Sequence, residues 1–420
     1  MTAEIAILNR SALALAADSA VTISVAGKTK VYDTAEKLFE LSKRQPVALM
    51  IYNNVEFVGV PLDVLIRRFR NEQDGKGVLY AKIEDACNQF LDYLKTFNHD
   101  VLEEKKYLYS VLRDAFAQLN KAVRDETLRD IETWIANPET ERVKPSDILD
   151  RHLDAAIKRE QGRPLKGFLS KVKISSFRSA YSDVIDSVIG ESFDIEIDGN
   201  TKNKLARLAF AILKSSRRSD LRTGLVFGGF AEQDMFPTLR YLEVDGIFLG
   251  ELKILSCSEI DIDRKKTRAE VVPFAQKEMV ERFMFGLDSS LEADIGTFVK
   301  DVVNGVVDIT GNPVEEAVAA EIKARVSDRF DTLLGKLKSD SRQDLLDIVY
   351  FMSKKELADI AHALVELTSH KRRFSTDEQT VGGPIDVAIL TKNEGFIWIQ
   401  RKHYFSSDIN RGYTVRTRAI

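Results

Sequence analysis

A threonine at position 2, an aspartate at position 18 and a lysine at position 37 are the residues whose types and order could do chemistry in this chain. Removal of Met1 would leave Thr2 with a free α-amine beside its own hydroxyl, and that amine titrates near neutrality rather than near ten. A hydroxyl so placed is an activated nucleophile and needs no other side chain as base. A lysine held beside Thr2 and Asp18 would maintain a positive field there, lowering the pKa of hydroxyl and amine alike, while the aspartate holds the ammonium in place. Each residue alone has a plainer reading, as a fraying terminus, a turn residue or a solvated lysine. The ordered set is what points to a catalytic amino terminus.

Strands must position these groups. Residues 2 to 22 read as two apolar strands around Asn9-Arg10-Ser11, a short loop that suits an antiparallel hairpin. A turn centred on Arg10 would set Thr2 directly opposite Asp18. Residues Thr34 to Leu41, the turn Lys43-Arg44-Gln45-Pro46 and the apolar run Val47 to Tyr52 predict a second hairpin with Lys37 at its start. From Val58 to about Phe97, apolar residues such as Leu62, Leu65, Ile66, Phe69, Ile83, Ala86 and Phe90 recur at helical spacing and predict two helices. Strands are expected again between Gly224 and Phe274, with a turn at Asp245-Gly246. A helix should follow from about Gln276 to Phe285. Closing strands are expected at Ile385 to Leu390 and Gly395 to Gln400.

At these motifs the chain resembles the proteasome β-subunit and its bacterial relative, the HslV peptidase, both N-terminal-nucleophile hydrolases. The likeness rests on Thr2, on Ala16-Ala17-Asp18-Ser19-Ala20-Val21-Thr22 and on Lys37-Leu38-Phe39-Glu40-Leu41. Gly228-Gly229-Phe230 with Pro237 to Gly246, and Asp377 to Gly383 near the end, extend it. The resemblance implies an α+β fold, a four-layer αββα sandwich with helical insertions. It implies a threonine-type peptidase or amidohydrolase that works without a cofactor, through an acyl-enzyme on Thr2. Where the family has a glycine-rich oxyanion turn this chain has Tyr52-Asn53-Asn54, making the N–H of Asn53 the candidate donor. Asp377 and Thr380 are the nearest matches to the residues that orient the amine, and Val271 to Gln276 stands where the family carries a serine turn. The implied partners are a peptide or protein substrate, further copies of this chain in a homo-oligomer such as a ring, and a separate unfoldase or regulatory protein. Two other readings stay open: a catalytically silent scaffold, and an amidase acting on a small metabolite.

The expected organisation divides the core into 1–97, 221–288 and 371–420, interrupted by a mainly helical insertion at 98–220 and a helical layer with an insertion at 289–370. The 420 residues suffice for a large core plus accessory regions. A net charge of −4 argues against nucleic acid or an anionic membrane as an obligatory partner. Basic residues between Arg142 and Arg222 read as a solvated helical face rather than a docking surface, since aromatic residues in a stacking pattern are sparse there. The two cysteines, Cys87 and Cys257, show no disulfide framework and are expected to be small buried hydrophobes. The five histidines show no ligand spacing, so no metal site is expected. No Walker-type phosphate loop occurs, so substrate unfolding would need a partner. The apolar run Ser11 to Ala17 is too short for a signal peptide and lacks a basic n-region, and no run reaches membrane-spanning length, so a cytoplasmic location is expected.

Overall fold

The computed structural model describes residues 2–25, 28–97, 99–139, 141–194, 197–309, 316–374, 382–403, 405 and 410. In chain order the first strands are β1 (Ala3–Asn9), β2 (Leu13–Ala17), β3 (Val21–Val25), β4 (Lys28–Tyr32), β5 (Leu38–Glu40), β6 (Val47–Asn53), β7 (Glu56–Phe57) and β8 (Val60–Pro61). Six helices follow: α1 (Leu62–Lys76), α2 (Ile83–Thr96), α3 (Val101–Ala136), α4 (Pro145–Gln161), α5 (Ile174–Ser192) and α6 (Gly199–Lys214). Strands β9 (Thr223–Gly229), β10 (Thr238–Phe248), β11 (Glu251–Asp261) and β12 (Ala269–Ala275) precede α7 (Glu278–Phe285), α8 (Ser289–Ile309), α9 (Glu316–Phe351) and α10 (Lys354–Arg373). The chain then adds β13 (Asp386–Thr391) and β14 (Gly395–Gln400). This is an α+β protein with two five-stranded antiparallel sheets, ordered β12-β1-β2-β13-β14 and β11-β10-β9-β6-β5.

Alternation along the strands decides what each sheet face meets. In β1, Ala6 and Leu8 join Leu13 and Leu15 of β2, Ala48 and Met50 of β6, and Val226 of β9 in one apolar cluster drawn from both sheets. The intervening residues Ala3, Ile5 and Ile7, with Ala14 and Ala16 of β2, pack instead against Leu357, Ala361 and Leu364 of α10 and Val349 of α9. Alanines on β2 leave room for α10 to lie close to the strand. On the second sheet, Val47, Leu49 and Ile51 of β6 and Leu225 and Phe227 of β9 belong to a third cluster that takes in helices α1 to α6. Phe90 of α2, for example, sits edge-on to Phe227 at 5.8 Å.

Three sequence expectations need correction. The first hairpin pairs Glu4 with Ala17 and Leu8 with Leu13, so its turn is the two-residue Arg10-Ser11 rather than one centred on Arg10. The Asn9 side chain accepts hydrogen bonds from the backbone of Ser11 at 2.8 Å and Ala12 at 3.2 Å, which holds this tighter turn. Asp18 is consequently opposite Ala3, one residue from where the sequence set it. Between β10 and β11 the turn is Leu249-Gly250, with φ of 51° and 80°, the two positive values of a type I′ hairpin turn. Gly246, at φ 91°, lies within β10 beside a shift in register, and its face is closed by the Tyr107 ring. Lastly, Cys87 is buried but Cys257 is exposed, on the open second half of β11, which is an edge strand of its sheet.

Many of the basic side chains between Arg142 and Arg222 meet acids of neighbouring elements. Arg217 reaches Glu160 at 3.3 Å, Arg218 reaches Glu243 at 3.1 Å, and Lys204 lies between Asp150 and Asp154. No helix among the described residues is long and apolar enough to cross a membrane.

Candidate functional site

Thr2 immediately precedes β1 and Glu4 lies within it, at the end of the hairpin away from its turn, where Asp18 leaves β2. The two strands clasp there through Asp18 N–H to Ala3 O at 3.1 Å and Ala3 N–H to Asp18 Oδ1 at 3.2 Å. Asp18 Oδ2 accepts the backbone N–H of Gly382 at 3.0 Å, and Ser19 N–H donates to the Gly382 carbonyl at 3.2 Å, so the segment entering β13 is tied to the same carboxylate. On the other side of Thr2, its carbonyl accepts the N–H of Gln276 at 3.2 Å, just beyond β12.

Lys37 comes from the second sheet. Its backbone carbonyl accepts Ile51 N–H at 2.8 Å, continuing the β5–β6 pairing by one residue. Its ammonium donates to Asp18 Oδ1 and lies 3.3 Å from Glu4 Oε1. The lysine is 1% exposed, and both carboxylates are fully shielded from solvent. Two acids therefore face one base in the interior, each contributed by a different segment.

Thr2 itself is 1% exposed. Its hydroxyl donates to Glu4 Oε2 at 3.0 Å and accepts the N–H of Asn53 at 3.3 Å. Asn53 has a left-handed backbone, φ 67°, which turns that N–H toward Oγ1, and asparagine is among the few residues that tolerate this region. Tyr52 before it is wedged against Gly224, where a Cβ would come within 2.0 Å of the ring, and stacks on Phe274 at 5.3 Å. The turn at Asn53 is thus braced from both sheets.

Thr2, Asp18, Lys37 and Asn53 are all brought together, whereas Asp377 and Thr380 lie outside the described residues. Sequence reasoning missed Glu4. The signal was available: a charged residue in the apolar strand AEIAILN, two positions from Thr2 and so on the same face. Burial pushes the Glu4 carboxyl from its ordinary 4.5 up to about 8, Lys37 opposing that shift and the Asp18 charge adding to it. A buried Asp–Lys pair is not in itself a catalytic signature. Asp245 and Lys253 form another at 3.2 Å, but there the aspartate is engaged by both the N–H and the hydroxyl of Ser219, and Lys253 donates to the Arg217 carbonyl. Among the described residues no group of three or more His, Cys, Asp or Glu is gathered as a metal site. His99 pairs with Glu104 at 2.8 Å and His152 with Glu126 at 2.7 Å, while His362 and His370 share Glu366 at 3.8 Å each.

Comparison with known proteins corrects the resemblance to the proteasome β-subunit and HslV. No family model matches this chain, and no curated protein matches it. Among solved structures, Anbu from Hyphomicrobium sp. strain MC1 aligns over 99% of this chain and 95% of that chain, at 10% identity and a TM-score of 0.28. A superposition that loose carries no argument about either fold or function. The physical reason for the mismatch is that a few short motifs specify one corner of the molecule, while the long helices α3 to α6, α8 and α9 are independent of them. Any functional reading must therefore rest on the site's own geometry.

Two consequences follow from the buried charges. Lys37→Met should destabilise the protein by about 3–5 kcal/mol in denaturant unfolding, because it leaves buried carboxylate charge without a partner. The stability should also depend on pH through Glu4. A carboxyl raised from 4.5 to about 8 takes up a proton on folding, so the folded state binds more protons across that window and stability falls as pH rises through it. Thermal midpoints measured against pH should show this decline in the wild type and a flatter profile in Glu4→Gln.

Proposed function

We propose that this chain is an amide-bond hydrolase whose nucleophile is the Thr2 hydroxyl, acting on peptide or related amide bonds through an acyl-enzyme. The observation that carries the reading is the convergence on Oγ1 of a backbone N–H donor and a carboxylate acceptor, within one buried cluster that also holds the Asp18–Lys37 pair. In this reading Oγ1 attacks the substrate carbonyl, and the Asn53 N–H donates to the oxyanion that forms beside it. Lys37 supplies positive charge near the developing negative charge, and Asp18 fixes the lysine. The sequence assigns the base to the α-amine that loss of Met1 would free on Thr2.

The architecture we assign to this enzyme is a four-layer αββα sandwich. It is supported by three apolar clusters: one between the sheets, one between the first sheet and α7, α9 and α10, and one between the second sheet and α1 to α6. A homo-oligomer is part of the same proposal. Phe298 of α8 and Leu333, Leu337, Ile348 and Phe351 of α9 are exposed, with Phe351 75% open, which suits contact with further copies of the chain. Light scattering over a concentration series should find more than one chain per particle, and a strict monomer at every concentration would remove this part.

A second reading, a catalytically silent scaffold, is favoured by one observation: the closed setting of Thr2, which buries the proposed nucleophile in the resting chain. Labelling with a β-lactone electrophile separates the two. The wild type should gain one adduct on Thr2 by intact-mass and peptide mapping, Thr2→Ser should label more slowly, and Thr2→Ala should not label. Equal labelling of all three would place the chemistry elsewhere, and no labelling of any would favour the scaffold.

A further inference from the structure

The cluster contains a carboxylate that the reading above leaves without a task. Glu4 Oε2 accepts the hydrogen bond of the Thr2 hydroxyl at 3.0 Å, while Glu4 Oε1 lies 3.3 Å from Lys37 Nζ and accepts no hydrogen bond. Asn53 N–H occupies a lone pair of Oγ1 at 3.3 Å, so the hydroxyl proton is directed at Glu4. Asp18 differs. Its Oδ1 accepts from Lys37 and from Ala3 N–H, and its Oδ2 from Gly382 N–H. Both of its oxygens are committed to the scaffold, and none of these bonds involves the hydroxyl. Of the two acids in the cluster, one holds the structure and the other is aimed at the nucleophile.

We propose that Glu4 is a catalytic residue, the general base that takes the Thr2 hydroxyl proton, a role that the sequence assigned to the α-amine. The proposal rests on the threonine-hydrolase reading and deepens it. As Oγ1 bonds to the carbonyl carbon of the amide, its proton passes to Glu4 Oε2 and the carbonyl π pair moves onto oxygen. When the tetrahedral species collapses, the C–N bond breaks and the leaving nitrogen takes the proton from Glu4, leaving an ester on Thr2. A water then gives a proton to Glu4 and attacks the ester carbon. The ester C–O bond breaks, Oγ1 recovers that proton, and the carboxylic acid departs. Amide and water are consumed, and amine and acid are formed.

The surroundings of Glu4 suit this task. Lys37 and Asp18 face it from the segments flanking β5 and β2, and its charge is also felt by Tyr52 of β6. Burial, the dominant effect, raises the carboxyl to about 8, close to where a general base both accepts and returns a proton efficiently. An ordinary exposed glutamate would be too weak a base for a threonine hydroxyl.

The rate of Thr2 acylation by a β-lactone reads this step without knowledge of the substrate. In the wild type the rate should rise with pH and level off above about 8. Glu4→Gln should acylate about 100-fold more slowly or worse and lose that rise, since general-base contributions are of this order. Because an amide beside Lys37 could impair folding, Glu4→Thr is the second variant: it suits a strand and cannot act as the base. Circular dichroism and thermal midpoints identify which variants are folded. A folded variant of either kind acylating within about threefold of wild type, with the same pH profile, overturns the assignment to Glu4 and leaves the hydrolase reading intact. Absence of any wild-type adduct on Thr2 overturns both.

Discussion

The interaction on which the rest of this structure depends is the buried ammonium of Lys37 between the carboxylates of Asp18 and Glu4. Taking three ionisable groups out of water is costly, and it is tolerated only where geometry is good and remaining hydrogen-bonding capacity is met. Here the backbone and the Thr2 hydroxyl supply that geometry. Ala3 and Gly382 donate to Asp18, Ile51 donates to the carbonyl of Lys37, and Thr2 donates to Glu4. The cluster joins residues 2–4, Asp18, Lys37 and Ile51 to Gly382 near the other end of the chain, and it does so where the two sheets meet. Loss of register in either hairpin would leave buried charge unpaired, so the site and the fold constrain one another.

The two sheets serve this cluster differently. The β12-β1-β2-β13-β14 sheet holds Thr2, Glu4 and Asp18 through backbone pairing on both sides of β1, with alanines in β2 letting α10 pack closely behind. The β11-β10-β9-β6-β5 sheet presents Lys37 and Asn53 from the two strands of one hairpin. Its other face is held by α1 to α6, a large apolar body that reaches from Leu62 to Leu213. Those helices never enter the site. Their effect is to stiffen the sheet that carries the lysine and the strained turn at Asn53, whose neighbour Tyr52 is locked against Gly224 and Phe274.

Period-two and helical patterns in the sequence were enough to locate the hairpins around Asn9 and Gln45, the helical stretches after Val58, and the strands on either side of Asn393. Local chemistry governs those choices, because apolar alternation and turn residues act over a few positions. Exact register was not legible. Whether the first turn has two residues or three depends on Asn9 bonding to Ser11 and Ala12, and the β10–β11 turn depends on a bulge at Gly246 shaped by Tyr107, which arrives from α3. Likewise Cys257 is exposed because β11 ends up as an edge strand of its sheet. The family resemblance failed for a related reason: motifs of a few residues describe one end of the two sheets and say nothing about the helices that make up much of the chain.

For the site, the sequence by itself determined which groups are present and that Thr2 and Glu4 share a face, because side-chain direction along a strand follows from covalent geometry alone. It named the aspartate, the lysine and the asparagine turn, but as separate items on a line. Only the tertiary structure decided that Asp18 spends both oxygens on the scaffold while Glu4 keeps one for the hydroxyl. It also decided that Glu4 titrates far above an ordinary carboxylate. Both outcomes depend on burial and on donors from distant segments. Desolvation and hydrogen bonding act through space, and no spacing along the chain encodes them.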